Sequence, residues 1–376
     1  MPDNHVDTAV IGGGIVGLAH ALAAAKRGDR VVLFERDDYS VGASIRNFGL
    51  IWPVGQRPGN VYARALKSRE IWLDVAAESH MWCRDVGSLH LAHHPDEEAV
   101  LEEFLSTTPA AVEQGCRMVT PTEAAKRSAA VRTDGLRSAL WSPTELNVDP
   151  RQAIPSVAYH LIAKYDADIR FGTTVRNISL PRVETTDGVW HAERVFVCSG
   201  NDFETLYPDT FAAASIVRCK LQMMRTARQP DAWQLGATLC GGLTLLHYDA
   251  FKHCTSLSTL NDRMLEELPF CRENGIHVLL SQTADGALTI GDSHHYAKTH
   301  HPFEDERVNA AIMQYLRTFA EAPDFEIAER WTGIYPSVPG ATELVVQPEP
   351  GVTVVNGLGG AGMTLSFGLA EENLST

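Results

Sequence analysis

VDTAVIGGGIVG, residues 6–17, is the stretch that decides the fold. Val6 to Ile11 is a compact apolar run that reads as a buried strand. Gly12, Gly13 and Gly14 interrupt it, and the chain from Ile15 to about Arg27 then reads as a helix. That helix is rich in Ala and Leu, carries Lys26 and Arg27 in its last turn, and meets Gly28 as a stop. Arg30 to Glu35 (RVVLFE) is the next strand and ends in an acid. The glycines divide the steric work: Gly12 permits a tight turn, Gly14 lets backbone approach a pyrophosphate, and Gly17 lets the helix pack close to the strand. Ile15 and Val16 open the helix, whose free N–H groups and positive dipole end suit phosphates. Glu35 is placed to accept hydrogen bonds from an adenosine ribose, with Arg36 beside it at the same strand end. Strand, glycines, helix, strand and acid in that order predict a dinucleotide-binding unit, with flavin and nicotinamide both open.

Three features further along favour flavin. Ser40 to Asn60 is a turn-rich stretch rather than another strand–helix unit. In it Ser44 and Asn47 are placed to bond phosphate or ribityl groups, and Gly49 allows backbone to approach an isoalloxazine. Arg46 is a candidate partner for the pyrophosphate or for a substrate anion. Next, Ala167 to Ile178 reads as two short strands, with Val175 packed by the adenine. Glu193 to Gly200 (ERVFVCSG) reads as a strand that brings Ser199 and Gly200 to the dinucleotide, Cys198 being a buried packing residue. Last, Val352 to Asn356 reads as a strand, Gly357 to Gly362 (GLGGAG) as a turn, and Met363 to Asn373 as a helix. Gly359, Gly360, Gly362, Met363 and Thr364 thus make a second pole of N–H groups, suited to the edge of a flavin ring that becomes anionic on reduction. A nicotinamide enzyme has no need of that pole.

Composition narrows the class. Apolar residues at 44% and charged residues at 21% are ordinary for a globular chain of 376 residues, long enough for two lobes. A formal net charge of -15 argues against a nucleic-acid or anionic-membrane binder, while leaving room for a locally basic pocket. The polar start Met1 to Asp7 carries no charged region followed by an apolar core, and no stretch is long enough to span a bilayer, so a cytoplasmic protein is expected. The seven cysteines are scattered without a CxxC pair, so neither a disulfide framework nor a zinc knuckle is indicated. His294, His295, His300 and His301 form a dense run, but adjacent histidines on a strand face opposite ways and no Cys or carboxylate spacing completes a set. No metal site is expected.

These pieces together resemble the D-amino acid oxidase/glycine oxidase/sarcosine oxidase family of FAD-dependent oxidoreductases over essentially the whole chain. The matching segments are IGGGIVG with Glu35, the GAS-x-RN-x-G stretch from Gly42 to Gly49, VFVCSG, RWTGIYP from Arg330 (with Gly333), and the final GLGGAGMT. GASIRNFGLIWPVGQ and GDSHHY from Gly291 look more specifically like a branch associated with phosphonate catabolism. The resemblance implies an α/β chain, with a Rossmann-like FAD-binding domain and an inserted antiparallel-sheet substrate domain. The FAD domain is expected from residues 1–85, 148–212 and 331–376, and the substrate domain from 86–147 and 213–330. Within the latter, Ser215 to Arg225, Gly242 to Tyr248 and His277 to Gln282 are the expected strands. One departure matters: the family's G-x-R-P segment carries an Arg that clamps a substrate carboxylate, and this chain has Tyr335 before Pro336.

The chemistry implied is oxidation of a C–N bond in a small amine, best 2-aminoethylphosphonate or an N-alkylated derivative. A hydride leaves for the flavin, and the imine hydrolyses to an aldehyde plus amine or ammonia. Oxygen, or an electron carrier, would restore the cofactor. No side chain is singled out as catalytic. Trp52, Gln56, Tyr248, His294, Tyr335 and Thr364 are the candidate substrate contacts: a wall, a hydrogen-bonding amide, hydroxyls for an acidic oxygen, and a residue where the last helix meets the flavin. The alternatives are a D-amino acid, glycine or sarcosine oxidase, and a non-catalytic flavin-binding redox sensor.

Overall fold

The computed structural model describes residues 4–375. The strand His5–Ile11 lies inside an eight-stranded sheet, parallel to Val31–Phe34 on one side and to Gly188–Val197 on the other. Val352–Asn356 pairs in parallel with the far side of Gly188–Val197, and Asp168–Arg170 with the far side of Val31–Phe34. Parallel strands covered on both faces need unbroken apolar runs, and Val31–Phe34 is buried at every position. The registers set Ile11 and Val354 beside Val197, so the turns after the first, the middle and the last of these strands leave from one sheet edge. In open parallel sheets that carboxyl edge is where ligands bind. This juxtaposition brings the first and last glycine-rich turns to the same edge.

The helix Ile15–Lys26 is buried nearly all round, which explains a sequence without a polar face. It shares a core with the last helix, Gly362–Ser375, which packs in turn against Asn60–Ser79. Trp72 joins the last two: its ring meets Phe367 edge-on at 5.0 Å and its Nε1 donates to the Met363 carbonyl at 2.8 Å. Burying an apolar side chain such as Phe367 is worth roughly 1.5–3 kcal/mol. Gly368 lets these helices touch, since a Cβ there would lie 2.5 Å from the Arg64 carbonyl oxygen. His20, polar but wholly buried, bonds through Nδ1 to the Val16 carbonyl at 2.7 Å and through Nε2 to Asn373 at 3.0 Å, and burial lowers its pKa to about 4.

A nine-stranded sheet forms the second layer of the molecule. Its longest strand, Val217–Arg228, pairs antiparallel with Ile327–Ser337, with Ala287–Gly291 and with His295–Ala297. Leu279–Gln282 continues it, and Thr238–Cys240 lies parallel to Ser88–Ala92, one parallel pair in an otherwise antiparallel arrangement. Ile327–Ser337 belongs wholly to this sheet, so the domain boundary expected at 331 falls inside a strand. Gly242 to Tyr248, expected as a strand, is instead a 3-10 turn over Gly242–Leu246. Thr244 N donates to Gly241 O and His247 N to Thr244 O, while Leu243 N is taken by the Tyr315 hydroxyl at 2.9 Å. The run GLTLL is apolar because it is buried on nearly every side, and such a run carries no alternation to tell strand from turn. Among the described residues no helix is long and apolar enough to cross a membrane.

Candidate active site

The two sheets enclose a cavity of about 460 Å³, inside the roughly 300–1,000 Å³ range of cofactor and small-molecule sites. At its nucleotide end Gly12 turns with φ +106°, and a Cβ there would lie 2.2 Å from the Cys198 carbonyl oxygen, so only glycine fits. Gly14, Ile15 and Val16 line the cavity, and Gly14 starts the helix without any side-chain cap. Ser44 Oγ accepts from Ile15 N at 2.9 Å, which fastens the following loop over the turn. Glu35 also lines the wall, its two oxygens taking Gly13 N at 2.7 Å and Asp37 N at 3.0 Å. Arg36 is held by Asp202 at 2.7 Å. Val175, Ser199 and Gly200 reach the same cavity, and nothing lies within 4 Å of a Cβ built on Gly200.

At the other pole Asn356 Nδ2 donates to the Gly200 carbonyl at 2.9 Å and ties the two turns together. Gly359, Gly360, Gly362, Met363 and Thr364 line the cavity here, and Gly359 likewise has open space where a side chain would stand. Neither glycine-led helix has an acid in its own first turn, although Glu35 takes Gly13 N just ahead of the first one. Glycine turns, two helix N-termini and an acid at the second strand's end fit FAD, which Gly12–Val16 would meet at its pyrophosphate, Glu35 at its ribose and Gly359–Thr364 at its ring edge. Gly333 lines the cavity from the nine-stranded sheet, packed against the Arg46 carbonyl.

Two expected contacts sit behind this surface rather than on it. Gly17 does not line the cavity; a Cβ there would strike Gly12 O at 1.9 Å, so it sets how tightly the helix docks. Gly49, with φ +72°, is likewise pressed against the Val148 carbonyl, where a Cβ would lie at 1.9 Å. Asn47 lines the cavity, but its amide is spent on its own loop, donating to Ala43 and Ser44 carbonyls and accepting from Gly49 N at 2.8 Å.

The lobe end brings Trp52, Gln56, Tyr248, His294 and Tyr335 together as cavity wall. Trp52 N donates to Thr364 Oγ1 at 2.9 Å, Gln56 Nε2 donates to the Trp52 carbonyl at 3.1 Å, and Trp52 Nε1 is buried without a partner. The Trp52 and Tyr248 rings lie 6.0 Å apart. Burial pushes the Tyr248 and Tyr335 hydroxyls well up, so both stay protonated donors. Arg46 lines the wall while exposed, its Nη1 donating to the Thr332 carbonyl at 3.3 Å.

Sequence reasoning missed three residues that the fold adds to this end: His247, His277 and Asp292. The His247 and His277 rings stack at 3.9 Å and 25°, and His294 sits 4.4 Å from the first and 5.1 Å from the second. The dense run beginning at His294 contributes only that residue to the cluster. Burial drives all three imidazoles down, His294 to about 4, and drives the Asp292 carboxyl up. The three also come within 4.8 Å at one nitrogen each, the reach of a metal set. His247 and His277 meet nearly face to face, their planes 25° apart, while His247 and His294 are tilted by 42°.

Two helix N-termini facing one cavity, one fit for a pyrophosphate and one for an electron-accepting ring, define an FAD-dependent oxidoreductase. The chain belongs to that family: the model described as FAD dependent oxidoreductase (DAO) matches residues 7–373. Among solved structures it is similar to glycine oxidase from Geobacillus kaustophilus, with TM-score 0.75 and 21% identity over 99% of this chain and 94% of that one. It is similar too to L-proline dehydrogenase from P. horikoshii, with TM-score 0.77 and 20% identity over 100% and 94%. At such identities the likeness is one of fold. A curated relative, the tRNA 5-methylaminomethyl-2-thiouridine biosynthesis bifunctional protein MnmC of Chromohalobacter salexigens, is 26% identical over 249 residues, 64% of this chain and 34% of its own. The chain therefore spans about a third of that relative's length.

Proposed function

We propose that this enzyme oxidises the C–N bond of a small amine that also carries an acidic group, best 2-aminoethylphosphonate or an N-alkylated derivative. One observation carries the reading: Tyr335 stands beside the ring pole where a carboxylate-clamping arginine would be expected, its hydroxyl 3.5 Å from a Cβ built on Gly360. A tyrosine cannot offer a bidentate fork to a carboxylate. The fold neighbours' names, a glycine oxidase and an L-proline dehydrogenase, both concern amines, which supports C–N chemistry at this kind of site.

Bound FAD supplies a two-electron acceptor for the carbon beside the nitrogen. The chain's own residues do the positioning. Trp52, held by Thr364, forms the apolar wall, and Tyr248 and Tyr335 present hydroxyl donors to an acidic oxygen. Gln56, anchored on Trp52, braces the turn Pro53–Gly55 beside the cavity. The amine must enter neutral, and a mostly buried pocket favours that form by penalising a charge. The imine product hydrolyses in water to an aldehyde and an amine or ammonia, with oxygen as the expected final acceptor. Trapping the carbonyl product with a hydrazine reagent tests the reading. Aldehyde from 2-aminoethylphosphonate or its N-methyl derivative, with none from glycine or D-alanine, is the expected result. Turnover of the amino acids alone would overturn the substrate and return the enzyme to the amino-acid oxidases.

A further inference from the structure

We propose that His247, His277 and His294, with Asp292 between two of them, form the receptor for the substrate's acidic group and take a phosphonate by proton uptake instead of a fixed cation. This rests on the reading that the substrate is an acid-bearing amine. The three rings come from separate segments: one after the turn Gly242–Leu246, one before the strand Leu279–Gln282, one after the strand Ala287–Gly291. All three and Asp292 face the cavity. His294 Nδ1 lies 3.0 Å from the Gly275 carbonyl, which fixes the proton there and aims Nε2 inward, 3.7 Å from Asp292. His277 Nε2 lies 3.1 Å from Asp292 Oδ1, while His277 Nδ1 is buried with no hydrogen-bond partner. Buried polar atoms left open on a cavity wall call for a partner from a ligand.

The described residues around them offer an acidic group no free fixed cation. Among the described residues the fixed cations lining the cavity are Arg36, held by Asp202, and Arg46, held on the Thr332 carbonyl. The rings face Tyr248, Tyr335, Tyr296 and Asp292, and the charges of Lys252 and His295 act on His247 and His294 respectively. Burial and mutual crowding keep the empty cluster neutral. A bound anion reverses that balance by favouring the imidazolium form. A phosphonate suits the exchange because phosphoryl groups have a second ionisation near neutrality, about pH 6 for a phosphate ester, close to that of imidazole at about 6.5. A carboxylate, which ionises about two units lower, shares a proton with imidazole less readily.

Ethylphosphonate carries the acid without the amine and so probes the receptor apart from turnover. It is titrated into the FAD-loaded enzyme and followed by perturbation of the flavin absorbance. The proposal predicts saturable binding, with Kd rising about tenfold or more between about pH 6.5 and about pH 8.5. His277→Asn and His294→Asn each raise Kd by about tenfold or more at full flavin content. Calorimetry of the unmutated enzyme in two buffers of different ionisation enthalpy reads the proton uptake directly, even if a variant fails to fold. Binding with no proton uptake, or with Kd unchanged in both variants, overturns the receptor and leaves the amine reading standing. Binding abolished by prior EDTA treatment also overturns it, since a metal would then hold the anion. Propionate binding in place of ethylphosphonate overturns the receptor and the phosphonate substrate together.

Discussion

Gly12 and Gly28 both adopt positive φ, +106° and +94°, but only Gly12 has neighbours where a side chain would stand. Gly28→Ala is therefore expected to cost about 1 kcal/mol of backbone strain and keep full flavin. Gly12→Ala, with its Cβ driven into the Cys198 carbonyl, is expected to give protein with less than about half the normal flavin content or a collapsed yield, read from the absorbance ratio after gel filtration. Equal flavin in the two variants would contradict the role given to the turn. Arg46→Ala is expected to raise substrate KM or loosen FAD; unchanged kinetics at full flavin would remove Arg46 from the site. The glycines are legible in the sequence because their constraint is local: a turn of that φ excludes other residues wherever it occurs. His247 and His277 are not legible, because each is an ordinary histidine in its own segment and only the pairing of Leu279–Gln282 with Ala287–Gly291 brings His277 near His294.

The last helix carries two loads, one toward the cavity and one toward Asn60–Ser79. Thr364 Oγ1 is the acceptor for Trp52 N, so Thr364→Val leaves a buried N–H unmatched and is expected to lower stability by about 1–3 kcal/mol. Calorimetry should show the lower Tm, and substrate KM should rise as the Trp52 wall loosens; an unchanged KM with a lower Tm would separate packing from substrate contact. Helix and glycine pole are both readable from GLGGAGMT, and the paired strands at the two termini from their apolar runs. The segment Gly242 to Tyr248 passes for a strand because burial erases its periodicity, and its geometry is set by Tyr315 and Glu97, far away in sequence. The boundary expected at 331 falls inside Ile327–Ser337 because the partner of that strand, Val217–Arg228, lies far back along the chain.

At the scale of the whole molecule, both sheets line one cavity, and the thiols report how closed the packing around it is. All seven cysteines are free, and Cys83 alone is not buried. Burial pushes the Cys83 thiol up to about 11 and Cys116 and Cys219 up to about 12, so little thiolate exists at neutral pH. Native protein should take up iodoacetamide at Cys83 or not at all, while unfolded protein takes up all seven, and added reductant should not move Tm. Rapid native labelling at a second cysteine would mean the core opens more readily than this packing allows. The central claim, an FAD enzyme whose pocket takes an acid-bearing amine, is tested most directly by an anaerobic visible spectrum recorded before and after adding 2-aminoethylphosphonate or its N-methyl derivative. The account predicts an oxidised-flavin spectrum that bleaches with these amines and not with glycine or D-alanine. Bleaching by the amino acids alone would contradict the pocket, and a protein that neither contains flavin nor can be reconstituted with FAD would contradict the whole account.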